Sequence, residues 1–171
     1  MTDKSALLWQ SPVGVLAVAE NGAGITDLFL CRDGNLPQGF RREATPLLRE
    51  ALRQLGEYFT GNRREFRLPL SLFGTAFQLA DWAALRTIPY GETRSYGQIA
   101  AQTGRPRACR AVGGANARNP VMIVVPCHRV IASDGSLGGF SAGTEVKRYL
   151  LKLERTHSGG SGVVRGSGRS V

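Results

Sequence analysis

Three cysteines (Cys31, Cys109, Cys127) and two histidines (His128, His157) are the residues of this chain best suited to nucleophilic or metal chemistry. Their spacing contains no CxxC or HxxxH pair, which disfavours structural zinc, and an odd, scattered set of cysteines is no disulfide framework. What remains is thiol chemistry. Cys127 stands out by context: it follows the apolar run Val121-Met122-Ile123-Val124-Val125, lies between Pro126 and His128, and has Arg129 close behind. Nearby cations and hydrogen-bond donors lower a thiol's pKa, and the thiolate is the nucleophile. Neighbours on an extended chain point to opposite faces, so His128 reaches Cys127 directly only if the chain turns sharply, or else through a water. Cys31 reads as a small buried hydrophobe. Cys109 stands among alanines, where its size is sufficient explanation.

The elements that must position this thiol are legible from punctuation and period. Val13 to Ala19 and Ile25 to Leu30 read as strands joined by the turn Asn21-Gly22-Ala23-Gly24. Thr45 as N-cap and Pro46 at the first helical position open a helix carrying Leu47, Ala51, Leu55 and Tyr58, which Gly61-Asn62 ends. Nothing polar in this half converges on a site, so residues 1–72 read as a small α/β scaffold. From residue 73 the pattern changes to short capped helices. Thr75-Ala76-Phe77-Gln78 and Ser95-Tyr96-Gly97-Gln98 are capping boxes, Pro89-Tyr90-Gly91 stops the first helix and Gly104 closes the second. Pro106 is expected to start a third helix with the apolar stripe Ala108, Ala111, Val112 and Ala115. The pair makes a helix-turn-helix, with Arg107, Arg110 and Gly114 on one face and Gly113 beside them.

Val121–Val125 reads as a buried strand delivering Cys127, followed by a Gly-rich loop and a last helix burying Val146, Tyr149, Leu150 and Leu153. Both Glu145 and Glu154 lie near the edges of that stripe, and spacing does not choose between them. Residues 156–171 are a low-complexity Gly/Ser tail, read as disordered. The class is therefore α+β, with a 1–72 scaffold domain, a 73–155 helix-turn-helix domain carrying the thiol, and a tail.

Charge separates the halves. Residues 1–72 carry 9 basic and 8 acidic side chains, whereas 73–155 carry 11 and 5 within a formal net charge of +9. A basic second half points to a polyanionic partner, although a solvated basic surface explains charge equally well. No apolar stretch approaches the length of a membrane span. The first residues lack the basic and apolar regions of a secretory signal, which favours the cytoplasm, or the nucleus in a eukaryote.

Pro126-Cys127-His128-Arg129-Val130-Ile131 resembles the active-site motif of the O6-alkylguanine-DNA alkyltransferases. The likeness extends through Thr87-Ile88-Pro89-Tyr90-Gly91-Glu92-Thr93, Ser95-Tyr96, Arg110-Ala111-Val112-Gly113, Asn119-Pro120, Gly138-Gly139-Phe140-Ser141, Lys147 and Leu150-Leu151-Lys152-Leu153-Glu154. It implies a ribonuclease-H-like first domain and a winged-helix-like second domain. It also implies a monomeric repair protein, with cooperativity on DNA left open, that enters the minor groove of double-stranded DNA and flips an alkylated guanine out of the stack. O4-alkylthymine is a second candidate substrate.

By this resemblance Cys127 attacks the alkyl carbon, His128 takes the thiol proton through a water, and Glu154 orients His128. Tyr96 turns the nucleotide and protonates the leaving guanine. Arg110 fills the vacated stack, and Ser95, Arg107, Ala111, Gly113 and Gly114 face DNA. Asn119, Val130, Phe140, Ser141 and Lys147 build the guanine pocket, Asn119 by bracing the turn to the active site. Phe140 stands where many relatives have Tyr, Ala142 where Gly is frequent, and Cys109 where Ala or Ser is usual.

No cofactor is required, because protonated guanine is a good leaving group and a desolvated thiolate a strong nucleophile. A thioether to an sp³ carbon has no carbonyl for water to attack, so the protein is expected to react once. The nearest alternative is a non-catalytic lesion binder of the alkyltransferase-like type, which lacks the cysteine. A winged-helix regulator leaves the Pro-Cys-His-Arg run unexplained, and a cysteine hydrolase leaves the basic helix unexplained.

Overall fold

A computed structural model describes residues 3–158 in full, together with the backbone course of the last helix. The first half is a four-stranded sheet of β1 (Lys4–Ser11), β2 (Gly14–Glu20), β3 (Ile25–Leu30) and β4 (Phe40–Arg42), in the order β3-β2-β1-β4. β1, β2 and β3 pair antiparallel, and β4 runs parallel to β1. β1 and β4 went unread in the sequence. In β1, Lys4-Ser5-Ala6-Leu7 blurs the alternation that marks a strand, and β4 is only Phe40-Arg41-Arg42.

The helix α1 (Pro46–Phe59) covers one face of this sheet, and its start is as expected: the Thr45 hydroxyl accepts the Leu48 N–H. Leu48, Ala51, Leu55 and Tyr58 recur at helical spacing and are buried. Gly61 follows at φ 81, the left-handed conformation that ends helices.

The second half packs α2 (Ala76–Leu85) across α3 (Tyr96–Gln102) and α4 (Cys109–Ala117). Both expected capping boxes are present, at Thr75 and at Ser95. The Trp82 indole donates to the Ala115 carbonyl at 2.9 Å, tying α2 to α4. A short parallel pair, β5 (Arg94–Ser95) with β6 (Val130–Ile131), joins the start of α3 to the chain just beyond Cys127. The two halves share one hydrophobic core. β3 reaches across: Leu28 donates to the Pro120 carbonyl at 2.8 Å and receives the Met122 N–H at 3.0 Å.

Four expectations change. α4 begins at Cys109 rather than Pro106, because residues 105–108 form a turn closed by Ala108 N–H to Arg105 O at 2.9 Å. Arg107 therefore precedes the helix, and the buried stripe is Val112, Ala115 and Asn116, with Ala111 exposed. Residues 121–125 are a tight turn rather than a strand: Val125 donates to Val121 O at 2.9 Å and Ile123 adopts φ 72. A β-branched residue there costs about 1–3 kcal/mol, tolerated where the surroundings over-determine it; Ile123 is anchored by full burial.

The last helix, α5 (Thr144–Arg169), buries Lys147, Leu150, Leu151 and Glu154, whereas Tyr149 is exposed and Val146 and Leu153 are half-buried. The buried stripe thus has a charged residue at each end, which an apolar reading misses. The tail read as disordered falls mostly outside the described residues, but Thr156, His157 and Ser158 continue α5, and Arg64 donates to the His157 carbonyl at 2.9 Å.

Candidate active site

The tight turn at 121–125 re-aims the chain so that Cys127, His128 and Arg129 form one turn of 3-10 helix. In this bend both Cys127 and His128 are buried, where an extended strand would have sent their side chains to opposite faces. Asn119 holds the bend: its side-chain nitrogen donates to the Val125 carbonyl at 2.7 Å and to Cys127 Sγ at 3.2 Å, and its oxygen accepts the Val121 N–H at 3.0 Å. The three bonds tie Asn119 to both ends of the 121–125 turn and to the sulfur.

Cys127 is only 4% exposed. Burial pushes its thiol up to about 11, against the pull of the Asn119 donor and the Lys147 ammonium. The resting group is therefore S–H rather than the thiolate that neighbouring cations were expected to favour. Arg129 does not face the sulfur. Its Nε and Nη2 grip Glu154 at 2.8 and 3.0 Å, and its Nη1 donates to Ile88 O at 2.7 Å. A protonated thiol needs a base.

His128, the next residue along the chain, is the candidate. It is wholly buried, and burial holds its pKa below the ordinary imidazole value. Its Nε2 lies 2.6 Å from Glu154 Oε2. Burial alone would raise the Glu154 carboxyl, but His128 and Arg129 hold it well below the usual carboxylate range. An ionised carboxylate accepts, so Nε2 carries the hydrogen and Nδ1 presents a lone pair. Nδ1 has no protein partner among the described residues. Glu154 also accepts from the Tyr58 hydroxyl at 2.6 Å and from Gly91 N–H at 3.2 Å. Glu145 is exposed, so the fold selects Glu154.

A cavity of about 550 Å³ opens over Cys127, lined also by Tyr96, Cys109, Arg110, Gly113, Asn116, Ala117, Gly139, Phe140 and Ser141. Burial, chiefly, raises the Tyr96 phenol, so it stays an O–H donor at neutral pH. Lys147 is buried beneath, donating to Gly139 O at 3.1 Å with its ammonium 5.9 Å from the Tyr96 ring centre. Desolvation lowers it to about 8.

Of the residues expected to face DNA, Arg107, Arg110, Ala111 and Gly114 are exposed and Gly113 is half-buried. A side chain at Gly114 would meet nothing in the protein, so packing does not explain that glycine. Ser95 is placed as the α3 cap, its hydroxyl accepting the Gln98 N–H at 3.1 Å. The Val130 side chain lies in the core, not in the cavity. Neither Tyr58 nor Asn116 was read as part of a site, and the first half, read as pure scaffold, supplies the Tyr58 hydroxyl. At helical spacing a tyrosine reads as core, and no local signal distinguishes it.

The site thus gathers a buried thiol, an imidazole whose Nδ1 has no protein partner among the described residues, a buried carboxylate and a cavity bordered by Arg110 of α4. Residues 6–72 match a family model described as the ribonuclease-like domain of 6-O-methylguanine DNA methyltransferase, and residues 76–156 match the one described as its DNA binding domain. The constitutive methylated-DNA–protein-cysteine methyltransferase of Bacillus subtilis is 49% identical over 152 residues, covering 85% of this chain and 92% of that protein. Its Methanosarcina barkeri counterpart is 46% identical over 156 residues, covering 86% and 95%. The crystal structure of Mycobacterium tuberculosis OGT in complex with DNA is similar with a TM-score of 0.82 and 44% identity, over 91% of this chain and 94% of that one. The chain belongs to the 6-O-methylguanine DNA methyltransferase family. Its activity is that of a methylated-DNA–protein-cysteine methyltransferase, a direct reversal of DNA damage.

Proposed function

We propose that Cys127 is the acceptor, and that it takes the alkyl group of O6-alkylguanine in double-stranded DNA irreversibly and once. The observation that carries this reading is Cys127 at the cavity wall with its base and orienter behind it. The damaged base enters the 550 Å³ cavity, flipped from the duplex while α4 lies in the minor groove. The exposed Arg110 occupies the vacated stack. Arg107, Ala111, Gly113 and Gly114 present a small, basic surface that suits close approach to a phosphate backbone.

In the reaction the thiol proton passes through a water to His128 Nδ1, whose ring is kept in the right tautomer by Glu154. Cys127 Sγ forms a bond to the alkyl carbon as the carbon–O6 bond breaks, and its electron pair passes into the guanine ring. The Tyr96 O–H supplies the proton that the departing base takes up. Backbone groups of Cys127, Val130 and Ser141 read the guanine edge, Phe140 walls the cavity, and Lys147 holds the Gly139 turn against Tyr96. The protein acts as a monomer, without cofactor, in the cytoplasm where its DNA lies. A methylated-guanine duplex is expected to add one methyl mass per chain, located on Cys127 by peptide mapping. Sustained turnover, or full transfer by Cys127→Ser, would overturn the proposal.

A further inference from the structure

Arg32 belongs to the first half, just beyond the end of β3, yet it reaches the loop that walls the cavity over Cys127. Its base is fixed by Cys31. That residue is buried, its N–H donates to the Val15 carbonyl at 2.8 Å, and its thiol donates to the Asn35 carbonyl at 2.9 Å. Burial, chiefly, raises the Cys31 pKa, so the thiol keeps the proton it donates. From this turn the exposed Arg32 side chain crosses to the second half, where Nη2 donates to the Ala142 carbonyl at 2.9 Å.

The wall itself is Gly139, Phe140 and Ser141. Packing between Ser141 and β3 is incomplete: a second cavity of about 140 Å³ lies there, lined among others by Leu28, Leu30, Arg32, Asn119, Ser141 and Ala142. Groups that border a void lose the contacts that would otherwise fix them. Hydrogen bonds must then set the position of this segment. The Gly143 N–H closes its turn onto the Phe140 carbonyl at 2.9 Å. Two cationic side chains hold its carbonyls, Lys147 at Gly139 and Arg32 at Ala142. Gly143 has φ 101, and a Cβ there would lie 3.5 Å from Arg32 Nη2, so the guanidinium rests where the wall turns into α5.

We propose, resting on the alkyl-transfer reading above, that Arg32 is a positioning residue for transfer, holding the Ser141 side of the wall against the incoming base. The Ala142 carbonyl is one rigid peptide unit from that of Ser141, so restraining one restrains the other. Arg32 touches neither the base nor the sulfur. It acts through the wall, as Asn119 acts through the turn before Cys127, and the two side chains border the same small cavity. The wall meets the flipped base, whereas undamaged duplex meets the exposed face of α4. Arg32 therefore governs the transfer step and leaves general DNA affinity alone.

The test takes single-transfer rates of the full chain against the concentration of a methylated-guanine duplex, for wild type, Arg32→Ala and Arg32→Lys. Arg32→Ala is expected to lower the saturating rate ~2- to 10-fold, the worth of one hydrogen bond. The half-saturating concentration and the affinity for undamaged duplex should not change. Arg32→Lys keeps a cationic donor and should recover part of the loss. The second measurement is amide hydrogen exchange of the free protein, expected to quicken in Arg32→Ala across residues 139–143, chiefly at the Gly143 N–H, with the four-stranded sheet unaffected. An unchanged saturating rate, a Lys variant no better than Ala, or unchanged exchange at 139–143 would overturn the proposal. So would a loss confined to duplex affinity with a shallower salt slope, which is the sign of a phosphate contact. Should wild type transfer no methyl, the alkyl-transfer reading fails, and hydrogen exchange still decides whether Arg32 holds the wall.

Discussion

Glu154→Gln tests the relay more sharply than any truncation. The five donors on Glu154 divide between its oxygens: Oε1 accepts from Arg129 Nε and Gly91 N–H, and Oε2 from His128, Tyr58 and Arg129 Nη2. Glutamine keeps the shape but replaces one oxygen with NH2. Either amide orientation thus sets a donor against two or three donors, and the Arg129 charge loses its counter-ion. Removing one partner of a buried ion pair costs 3–5 kcal/mol; since Gln retains one acceptor, we take about 3 kcal/mol, and a chain of this length would melt roughly 6–12 °C lower.

Where the NH2 group faces His128, the imidazole hydrogen moves from Nε2 to Nδ1, which then cannot take the Cys127 proton. Loss of a general base slows a reaction ~10²- to 10⁴-fold. The assay is single-turnover methyl transfer at a temperature where both proteins are folded, beside thermal denaturation. Lower melting with a rate within threefold of wild type would refute the orienting role, and unchanged melting would refute the energetic one. The pH dependence adds a check. Because the folded carboxyl titrates below its unfolded value of about 4.3, its stabilisation is present above that value and is lost as pH falls through the folded one. Glu154→Gln should therefore flatten the acid limb of the wild-type stability curve.

Arg110→Ala is expected to weaken repair of duplex DNA more than reaction with the free modified base, and equal losses would contradict the stack-filling role. Gly138 has φ 72, and an added Cβ would lie 2.5 Å from Tyr96 Oη. Gly138→Ala should therefore displace the phenol and slow transfer ~10²-fold or more, the range of one general acid, with DNA affinity measured by titration unchanged. Asn119→Ala removes three hydrogen bonds from the turn before Cys127. A loss of roughly 2–4 kcal/mol in denaturant unfolding is expected, together with slower transfer. Affinity for undamaged duplex should fall steeply with salt, with a log–log slope reduced in Arg107→Ala.

Several local features lay open to sequence reasoning because their causes are local. Thr45-Pro46, Thr75 to Gln78 and Ser95 to Gln98 place helix starts by hydrogen bonds within one turn of chain, and all three form as expected. The α4 boundary was misread because Pro106 opens a turn as readily as a helix. The 121–125 run was misread because five apolar residues fit a strand and a buried turn equally, and only the tertiary bonds from Asn119 and Leu28 decide between them.

The chemistry divides the same way. The Pro-Cys-His-Arg run, the Gly-rich loop and the basic second half identify the thiol and its family resemblance from residue types alone. The ionisation state of the thiol was not legible, since desolvation is a property of the packed core and outweighs the adjacent cations. Arg129 illustrates this: beside Cys127 in sequence, it spends its guanidinium on Glu154 and Ile88. Glu154 and Tyr58 are 96 residues apart, yet share a 2.6 Å hydrogen bond. Sequence by itself singled out Cys127, the adjacent His128 and the helix caps, because those depend on neighbours along the chain. Tertiary structure alone decided the proton's location and which of Glu145 and Glu154 meets His128, because each depends on what burial brings together and what water is excluded.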